Sequence, residues 1–502
     1  MKVVAGVDSS TQSCTVVLRA VDSGESIAVG RSPHQATTPP VSEQYPSDWW
    51  SAFQLAMRQA MAAAEAGKEP AEVAAISVDA QAHGLVPVDA TGAVIRPAKL
   101  WNDTTSVPEA RELVARLGAA EWARRAGSVP PGAFTISKVL WLARHEPEAF
   151  ARLNQLLLPH DWLTYRLVGE YLTDPGDASG TGYYTPASGR WDPDLLSLVD
   201  NTIDWSERLP RLLSHDEPAG IVTNQAASEL GLRQHTVVGP GTADNQAAAL
   251  GMGVRTGDVV VSLGTSGVVY ARCEEPVYDP SGWVNGNADA AGGYLPVVCT
   301  LNAAKVTDTF ARLLNVDHEE LSRLALAAPV TDLRRPVLAA YLDGERVPDR
   351  PNAAGTLTGL RTDTSREQIA RAAYEGVLAG LVAGLETLTR LGVPSSGRLA
   401  VTGGGARAAA YRQLLADLTG RAVYVVDQAE TAAAGAAIQA AAVALKSDIT
   451  ELTEAWAPQW QIAAEPRPGA EPDELLTRYA ATSGWSALET SATNNHPTAE
   501  EI

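Results

Sequence analysis

The sequence predicts an α/β protein built from two related domains, and three observations lead to that prediction. The chain has 502 residues, more than one ordinary domain holds and enough for two domains with large cores. Apolar runs typical of strands alternate with segments of helical periodicity along most of the chain. A β-branched run that enters a hydroxyl-rich turn occurs at residues 3–13 and returns at residues 259–267. Because each half carries one copy, we expect domains at residues 1–240 and 241–485.

The predicted elements of the first domain alternate as an α/β fold requires. Helical spacing of apolar side chains predicts helices at residues 46–67, 139–144, 150–158 and 161–168. A short apolar run at residues 73–78 predicts a strand that enters a polar loop at Asp79. Glycine, serine and threonine dominate residues 174–189, which we interpret as a surface loop or hairpin. An apolar run at residues 237–239 then leads into a Pro-Gly turn, where we place the domain boundary.

The second domain is predicted to continue this alternation. Residues 366–391 form a long helix by their periodicity, and a glycine and a proline close it. Residues 398–402 have the pattern of a strand, and the alanine-rich residues 431–446 that of a helix packed closely on a sheet. The tail at residues 486–502 lacks anchoring apolar side chains, so we expect it to be disordered.

Three turns have the composition of a nucleotide-binding site. They comprise Ser10, Thr11, Gln12 and Ser13 in the first turn, Gly264, Thr265, Ser266 and Gly267 in the second, and Gly403, Gly404, Gly405 and Ala406 in the third. Exposed backbone N–H groups beside hydroxyls can cradle a polyphosphate, and adjacent glycines let a backbone approach a bulky ligand. The third turn alone is equally compatible with a tight structural turn. In series, the three turns predict a duplicated actin-like ATPase (ribonuclease H-like) fold, with the nucleotide in a central cleft between the domains.

Asp244 is a candidate catalytic base. It follows a turn of small residues at 239–243 and begins an alanine-rich segment that extends to Leu250. An alcohol is a poor nucleophile at neutral pH, so phosphoryl transfer to it is helped by a group that accepts its proton. A carboxylate at a helix start can face a cleft and be kept ionised by backbone amides. The same position suits an ordinary N-cap aspartate, so the residues alone leave both interpretations open.

The loop after the second predicted strand carries candidate sugar-binding groups. Gln81 and His83 stand two positions apart, so an extended segment can direct both toward one ligand. Trp101 can supply an aromatic face for a sugar, and Asn102 and Asp103 follow it directly. A lone histidine is more often a structural hydrogen-bonding group, and the pattern alone does not decide between the two roles.

Several short motifs follow one another in an order and spacing more specific than any one of them. They are the 8–13 turn, Gln81-Ala82-His83-Gly84, Trp101-Asn102-Asp103, the Lys-Val-Leu-Trp-Leu run at 138–142, Pro159-His160-Asp161, Asp244-Asn245, Gly264-Thr265-Ser266-Gly267, Gly344-Glu345-Arg346 and the run at 402–406. Over residues 1–480 this arrangement resembles the FGGY carbohydrate kinases. The resemblance implies an enzyme that phosphorylates a sugar and requires ATP and Mg²⁺. The likeness is greatest to members that convert D-xylulose to D-xylulose 5-phosphate.

The resemblance also implies roles for the candidate residues. Asp244 matches the aspartate that family members use as the base, and Asn245 would bond a sugar hydroxyl beside it. Asp8 would face Mg²⁺, partly through water. The alternative for Asp8 is a turn residue that satisfies nearby N–H groups. The pair Ala82-His83 falls where the family contacts an open-chain ketose. The first turn would approach the γ-phosphate, the second the β-phosphate and the third the adenosine.

Three positions depart from the family pattern. Ala82 stands where methionine is usual, which reshapes the sugar pocket. Thr15 stands where many relatives carry a basic residue, which removes a phosphate contact. Thr105 follows Thr104 where arginine is common. Another pentulose or a polyol is therefore the alternative substrate. A non-catalytic sugar-sensing protein is the alternative from another class, and it would predict loss of the base or of the phosphate turns, which the chain retains.

Bulk composition narrows the partners and the compartment. The net charge of −20 argues against a surface for nucleic acid or anionic membranes, although not against a phosphate ligand. Cys14, Cys273 and Cys299 are widely spaced and predict neither a disulfide framework nor a CxxC zinc site. No run approaches ~18 unbroken apolar residues, and Asp8 interrupts the apolar amino terminus. We expect a soluble cytoplasmic enzyme whose partners are a small-molecule sugar and MgATP, and, because relatives often dimerise, a homodimer.

Overall fold

In the computed structural model the chain forms two compact units. The described residues are 1–66, 70–332 and 334–484. The first unit comprises residues 1–256, 272–296 and 427–459. The second unit comprises, among the described residues, 257–271, 297–426 and 460–484. The tail predicted to be disordered, residues 486–502, lies outside the described residues, and the domain boundary near residue 240 stays a prediction.

A mixed seven-stranded sheet forms the centre of the first unit. Its strands run in the order Gly220–Ile221, Val237–Val238, Glu72–Ala80, Lys2–Ser9, Ser13–Ala20 and Ser26–Pro33, with Thr242–Ala243 also paired to Glu72–Ala80. Lys2–Ser9 is parallel to Glu72–Ala80 and antiparallel to Ser13–Ala20. Valine and alanine side chains on both faces of Lys2–Ser9 are buried, as expected of a central strand that is covered on both sides. The carboxyl ends of Lys2–Ser9, Glu72–Ala80 and Thr242–Ala243 therefore meet at one edge of the sheet.

Helices and short strand pairs complete the first unit. The helices are Pro46–Glu65, Val107–Leu117, Ala119–Ala126, Thr135–His145, Pro147–Ala151, Pro159–Val168, Pro175–Ala178, Pro193–Leu196, Trp205–Arg208, Asn224–Leu230, Asp244–Met252, Thr431–Leu445 and Ile449–Ala455. The strand pairs are Glu43–Gln44 with Ala98–Lys99, Val86–Val88 with Gln155–Leu157, Leu172–Thr173 with Arg211–Leu212, and Tyr184–Thr185 with Arg190–Trp191. The strand Asn285–Ala288 also belongs to this unit. Trp49, Phe53 and Met57 recur at helical spacing on Pro46–Glu65 and are buried in the core beneath the sheet. In the part of the chain that the structure describes, no helix has the length and apolar character needed to cross a membrane.

The alanine-rich helix Thr431–Leu445 touches the backbones of its neighbours. A Cβ atom added at Gly435 would lie 1.9 Å from a backbone oxygen of the helix Asp244–Met252. A Cβ atom added at Gly6, in the strand Lys2–Ser9, would lie 1.8 Å from a backbone oxygen of Thr431–Leu445. Only glycine and alanine leave backbones free to approach this closely, which explains the composition of the helix. The first strand and the helix that begins at Asp244 are thus held against one support.

The second unit repeats the strand pairing of the first. Six strands of its sheet run in the order Tyr294–Thr300, Gly267–Ala271, Val259–Leu263, Leu399–Thr402, Val423–Val426 and Trp460–Ala464. Its other elements are the helices Ala304–Leu314, His318–Ala327, Arg366–Arg390, Gly404–Arg407, Ala409–Thr419 and Pro472–Ser483, and the strand pair Val337–Ala339 with Thr356–Thr358. Val259–Leu263 is antiparallel to Gly267–Ala271 and parallel to Leu399–Thr402, as Lys2–Ser9 is to its own neighbours. The predicted α/β fold with two related units is confirmed.

Two local predictions were wrong. Residues 150–158 were predicted to be a helix, but the helix Pro147–Ala151 ends early and Gln155–Leu157 is a strand paired with Val86–Val88. A short apolar run is compatible with a buried strand as well as with a buried helix, and here pairing with a partner strand determines which of the two forms. Residues 174–189 were predicted to be a surface loop or hairpin, but residues 176–184 are buried, and the hairpin there pairs Tyr184–Thr185 with Arg190–Trp191, which lies beyond the predicted range.

Candidate active site

Three aspartates stand at the carboxyl ends of neighbouring parallel strands in the first unit. Asp8 lies directly opposite Asp79 in the register of Lys2–Ser9 with Glu72–Ala80. Thr242 pairs with Asp79 on the other side, and Asp244 follows it by two residues as the first residue of its helix. Strand register therefore brings the proposed base and the proposed metal-facing aspartate to the same edge of the sheet, as the carboxyl ends of parallel strands commonly do in α/β proteins.

Burial and neighbouring carboxylates raise the pKa values of Asp8 and Asp79. Burial, followed by the charges of Asp244 and Glu430, raises the pKa of Asp8 to about 7. Arg31 acts in the opposite direction and lowers the pKa of Asp8. Burial, followed by the charge of Asp8, raises the pKa of the Asp79 carboxyl well above its usual range. A site with this surplus of negative charge favours the binding of a cation.

The unpaired oxygens of Asp8 and Asp79 fit a magnesium ion. Within the described residues, Asp8 Oδ1 and both side-chain oxygens of Asp79 are buried and accept no hydrogen bond. No group of three or more His, Cys, Asp or Glu side chains in that part of the chain is placed to hold a metal by protein ligands alone. Mg²⁺ commonly keeps several waters and takes one or two carboxylates together with substrate phosphates. The donor set therefore suits a water-rich site of that kind.

Asp244 is held in place by the residue that follows it. Its Oδ1 accepts a hydrogen bond of 2.8 Å from the backbone N–H of Asn245 and one of 3.0 Å from the Asn245 side-chain amide. Burial raises the pKa of Asp244 to about 6, while the backbone N–H of Asn245 acts in the opposite direction. The Asp244 carboxylate is thus ionised at neutral pH and close to the pKa that suits a base. The Ala243 backbone, and not the Asp244 side chain, occupies the N-cap position of the helix.

The first turn is bonded to the predicted sugar-binding loop. Thr11 Oγ1 accepts a hydrogen bond of 2.8 Å from Trp101 Nε1 and donates one of 3.3 Å to Gln81 Oε1. Gln44 Nε2 donates to the Thr11 backbone oxygen at 3.0 Å. The predicted phosphate turn and sugar loop therefore share one hydrogen-bonded network around Thr11.

The rest of the first turn closes on itself and on the third strand. The backbone N–H and the hydroxyl of Ser10 both donate to the backbone oxygen of Ser13 at 3.0 Å. The backbone N–H of His34 donates to the Gln12 oxygen at 2.7 Å, and His34 Nδ1 lies 2.9 Å from the Ser10 oxygen. His34, the residue that follows the strand Ser26–Pro33, thus holds the turn that is predicted to bind a phosphate.

His83 adopts an unusual backbone conformation at the centre of the sugar loop. Its φ of 65° lies in the left-handed region, which non-glycine residues seldom occupy. His83 Nδ1 is 3.1 Å from the Gly180 backbone oxygen, and its ring lies 4.8 Å from that of Phe134. Lys138 Nζ donates to the His83 backbone oxygen at 2.7 Å. The imidazole is therefore oriented by its surroundings, and the neighbouring Ala82 is half-buried.

Trp101, Asn102 and Asp103 have different environments although they are consecutive. Trp101 and Asn102 are half-buried, and Asn102 Oδ1 accepts no hydrogen bond from the described residues. Asp103 is buried, and its oxygens accept hydrogen bonds from the backbone N–H groups of Ser42 and Thr105 at 2.9 and 3.0 Å. The Asp103 carboxylate, paired also with a lysine, therefore anchors the loop. A sugar-binding role for it stays a prediction.

The second and third turns lie together in the second unit. The backbone N–H of Gly264 donates to the Ser266 oxygen at 3.0 Å, and Thr265 O accepts from a backbone N–H of residue 303 at 3.2 Å. Gly403 has a φ of 84°, and a Cβ atom there would lie 2.7 Å from the backbone oxygen of Leu263, the residue before Gly264. Gly267, Gly404, Gly405 and Ala406 complete these turns. The structure thus brings together eight of the residues predicted to bind a nucleotide.

A buried histidine lies among three aspartates behind the strand that leads to Asp244. His160 Nδ1 is 2.7 Å from Asp177 Oδ2, and its Nε2 is 3.3 Å from Asp161 Oδ1 and 3.8 Å from Asp174 Oδ1. Burial disfavours the charged imidazole, but the three carboxylates outweigh that effect and raise the pKa of His160 to about 9. Asp174 Oδ2 also accepts a hydrogen bond of 2.7 Å from the Thr242 hydroxyl. The cluster therefore supports the last strand before Asp244.

Sequence reasoning missed several residues of this site. Asp79 was seen only as the end of a strand, and its place opposite Asp8 follows from a strand register that one sequence does not reveal. Gln44 carries no motif, yet it contacts the first turn and accepts a hydrogen bond of 2.8 Å from Trp49 Nε1. Gly180 was counted only as part of a glycine-rich loop, and its contact with the His83 ring requires the fold.

Similar proteins are known for both halves of the chain. The N-terminal domain of the FGGY family of carbohydrate kinases matches residues 3–251, and the C-terminal domain of that family matches residues 259–444. The chain is 43% identical over 464 residues to a xylulose kinase of Streptomyces rubiginosus, which covers 92% of each chain. It is 42% identical over 454 residues to a xylulose kinase of Streptomyces coelicolor, which covers 90% of each chain.

A solved structure is similar over the same span. The crystal structure of a xylulose kinase from Bifidobacterium adolescentis shares 37% of residues with the chain at a TM-score of 0.82. The match covers 96% of this chain and 99% of that chain. The residues matched by the two family domains, 3–251 and 259–444, include all three glycine-rich or hydroxyl-rich turns.

Proposed function

Because the chain belongs to the FGGY family of carbohydrate kinases, we propose that it transfers the terminal phosphoryl group of ATP to D-xylulose. The products are D-xylulose 5-phosphate and ADP. The xylulose kinases that resemble the chain over at least 90% of its length support this choice of substrate. The reaction is a phosphotransfer to an alcohol, in which positioning and charge stabilisation supply most of the rate enhancement.

The hydrogen bonds around Thr11 are the observation that carries the proposal. These bonds connect the first turn, which is proposed to bind the transferred phosphoryl group, with Gln81 and Trp101, which are proposed to bind the sugar. Asp244 stands at the end of a strand paired to Glu72–Ala80, the strand that leads directly into the sugar loop. One short stretch of sheet edge thus offers groups for the acceptor alcohol, its proton and the transferred phosphoryl group.

Asp244 is proposed as the base of this transfer. A hydroxyl oxygen of the sugar forms a bond to the terminal phosphorus as the bond between that phosphorus and the bridging oxygen of ADP breaks. The hydroxyl proton passes to the Asp244 carboxylate, whose pKa of about 6 leaves it ionised at neutral pH. Asn245 orients the carboxylate with two hydrogen bonds and, in this proposal, also contacts a neighbouring hydroxyl of the sugar.

The remaining groups are proposed to hold the sugar, the metal and the nucleotide. Sugar contacts are assigned to Gln81, Ala82, His83, Trp101, Asn102 and Asp103, and nucleotide contacts to Ser10, Thr11, Gln12, Ser13, Gly264, Thr265, Ser266, Gly267, Gly403, Gly404, Gly405 and Ala406. Asp8, with Asp79 beside it, would hold Mg²⁺. When bound, the ion neutralises negative charge on the phosphates.

A kinase for another pentulose or for a polyol is the second candidate. Ala82 favours it, because this small, half-buried residue stands next to His83 in the loop proposed to contact the sugar. An alanine there, in place of the methionine usual in the family, leaves more space for an acceptor of different shape. The chemistry proposed for Asp244 would be the same.

The cytoplasm is the proposed compartment. Cys14 and Cys273 are buried thiols and Cys299 is a half-buried one, none of them in a disulfide within the described residues. Free thiols are typical of a reducing compartment. A homodimer is proposed on the family resemblance alone.

A coupled assay of ADP formation with MgATP tests the proposal against D-xylulose, L-xylulose, D-ribulose, L-ribulose, glycerol, xylitol and D-arabitol. We expect kcat/KM for D-xylulose to exceed that of each other compound by about tenfold or more, since unpaired polar groups penalise analogues. Asp244→Asn is the control for contaminating kinases. A preference for another compound would change the proposed substrate but leave the proposed reaction, phosphoryl transfer from ATP, unchanged. No sugar-dependent ADP formation with any of them would overturn the proposal.

A further inference from the structure

A row of polar side chains crosses the first sheet at its carboxyl edge. Asp8 lies opposite Thr15 in the register of the first two strands, and Thr15 lies opposite Arg31 in the register of the second and third. Residues directly opposite one another in antiparallel strands direct their side chains to the same face. Arg31 therefore stands on the same face as Asp8, two strands away from it, with the small Thr15 between them.

The Arg31 guanidinium reaches back toward the first turn. Its Nε donates a hydrogen bond of 3.1 Å to Ser13 Oγ. Its Nη1 lies 3.9 Å from Glu430 Oε1, a long and loose ion pair. The Arg31 side chain is 61% exposed. Because a guanidinium has five N–H donors in a planar fork, these two contacts leave donors for a further acceptor.

The charges around Arg31 show what kind of ligand it suits. Arg31 stands on the same face of the sheet as Asp8, and its guanidinium lies 3.9 Å from the Glu430 carboxylate, so it is a positive charge on the face that carries these acidic groups. A phosphate brought beside these carboxylates needs a cation to offset the repulsion between like charges. Position 15, which lies between Asp8 and Arg31 in this row, carries the uncharged Thr15. Arg31 places a positive charge directly across from that position, on the neighbouring strand.

We propose that Arg31 binds the terminal phosphate of ATP beside the first turn and exchanges its loose contact with Glu430 for that phosphate. This inference rests on the proposed function. A planar guanidinium pairs with phosphate oxygens through two parallel hydrogen bonds, which a threonine at position 15 cannot supply. The terminal phosphate is singled out because the Ser13 hydroxyl, already bonded to Arg31, belongs to the turn proposed to face it.

The test compares the nucleotide affinities of Arg31→Gln with those of the unmodified enzyme by isothermal titration calorimetry. The probes are Mg²⁺ with the non-hydrolysable triphosphate AMP-PNP, and Mg²⁺ with ADP. We expect AMP-PNP to bind about 10- to 100-fold more weakly to Arg31→Gln, the range for loss of charged hydrogen bonds. Binding of ADP, which lacks the terminal phosphate, should change by less than about threefold.

Two further variants make the result specific. Arg233→Gln is the matched control, because Arg233 is 60% exposed and also paired with one glutamate, Glu72, in the same unit. We expect it to bind both nucleotides like the unmodified enzyme. Arg31→Lys keeps the positive charge but lacks the planar guanidinium. We therefore expect its affinity for AMP-PNP to lie between those of Arg31→Gln and the unmodified enzyme. Unchanged thermal unfolding midpoints would show that each variant is folded.

The outcomes separate this inference from the proposed function. If Arg31→Gln binds AMP-PNP as tightly as the unmodified enzyme, or weakens AMP-PNP and ADP equally, the role of Arg31 is refuted even if D-xylulose is phosphorylated. If the unmodified enzyme phosphorylates no sugar but Arg31→Gln selectively weakens AMP-PNP binding, the role of Arg31 stands and the proposed sugar kinase activity fails. Steady-state kinetics supply a second readout. A lowered kcat/KM for ATP with an unchanged KM for D-xylulose supports the inference.

Discussion

The carboxylate of Asp244 is half-buried, carries a pKa of about 6 and is held by two hydrogen bonds from Asn245. A base acts in its deprotonated form. We therefore expect kcat/KM to fall about tenfold per pH unit below about pH 6 and to level off above it. Asp244→Asn should lower kcat by about 10²- to 10⁴-fold, the usual contribution of a positioned base.

Kinetics from pH 5 to 8 and circular dichroism of the folded variant check this expectation. Asp194→Asn, at a residue whose side chain is 89% exposed, is the control and should leave kcat unchanged. Near-normal phosphorylation by folded Asp244→Asn would remove Asp244 as the base.

The contact between Gly180 and His83 offers a second test at the scale of single residues. A Cβ atom at Gly180 would lie 2.0 Å from His83 Nδ1, so Gly180→Ala must displace the imidazole. If His83 contacts the sugar, we expect Gly180→Ala to raise the KM for the sugar about tenfold and to leave the KM for ATP unchanged.

A double-variant cycle distinguishes this effect from general damage to the fold. In a His83→Ala background, Gly180→Ala should have no further effect on the KM for the sugar, because the ring it displaces is absent. Additive effects of the two substitutions would show that Gly180 acts by another route. Equal KM values in all four proteins would remove His83 from the sugar site.

At this scale the sequence predicted residues that lie in motifs and missed residues that depend on register. Asp8, His83 and Asp244 could be singled out because each lies in a distinctive run, near the end of a strand, in the loop that follows a strand, or at the start of a helix. Asp79 and Arg31 could not, because the pairing of separate strands places them, and nothing local to either residue marks that pairing.

Among the elements, the helix Thr431–Leu445 sets how the site is supported. Alanine is a better helix former than glycine by about 1 kcal/mol, so propensity alone favours Gly435→Ala. The backbone oxygen of Ala247 lies 1.9 Å from the position of the new Cβ atom, and this contact should outweigh the gain. We expect Gly435→Ala to lower the free energy of unfolding by about 2–3 kcal/mol.

Gly380→Ala is the matched control for this substitution. Gly380 also lies inside a long helix, Arg366–Arg390, but the nearest atom to its added Cβ is the hydroxyl oxygen of Tyr479 at 3.2 Å. We expect a change of less than about 1 kcal/mol in urea unfolding. A Gly435→Ala protein as stable as the unmodified one would show that the two helices separate at little cost.

Hydrophobic periodicity predicted the two long helices correctly and failed for a short segment whose structure depends on a partner strand. Arg366–Arg390 and Thr431–Leu445 match their predicted bounds to within one residue, because long helices carry their own signal. Gln155–Leu157 became a strand through pairing with Val86–Val88, a partner far away in sequence. The segment 176–184 is buried although it is rich in small polar residues, because its groups bond to one another, as Ser179 Oγ does to the Pro175 oxygen at 2.7 Å.

For the molecule as a whole, the buried cluster around His160 makes stability depend on pH. The pKa of His160 is raised to about 9, and burial, the largest effect on either aspartate, leaves Asp161 with a pKa of about 7 and Asp177 with one of about 6. Asp174 faces the same imidazole, and burial raises its pKa too. All four groups hold protons to higher pH in the folded chain than in the unfolded chain, whose histidine has a pKa of about 6.5.

The direction of this pH dependence of stability follows from the raised pKa values. Stability contributed by His160 is fully present below its unfolded pKa, about 6.5, and is lost as the pH rises through about 9. The raised pKa values of the aspartates act in the same direction over a lower range. We expect the free energy of unfolding to fall by about 2–3 kcal/mol between pH 6.5 and 9.5.

Urea unfolding of the first unit at pH 6.5, 8 and 9.5, followed by tryptophan fluorescence, measures this loss. His160→Gln should show a flatter dependence on pH, because the titrating imidazole is gone. Stability that stays constant or rises over this range would contradict the charge state assigned to the cluster.

The first unit takes its last segment, residues 427–459, from far along the chain. During synthesis the amino terminus leaves the ribosome first, so the strand Lys2–Ser9 and the helix Asp244–Met252 emerge long before Thr431–Leu445. A nascent chain of about 400 residues already contains Asp8, Asp79 and Asp244 but lacks the helix Thr431–Leu445, against which the first strand and the helix Asp244–Met252 pack. We therefore expect prematurely terminated chains to be inactive and to expose apolar surface to chaperones and proteases. On this expectation, interrupted translation yields no partial enzyme that could consume ATP without its sugar.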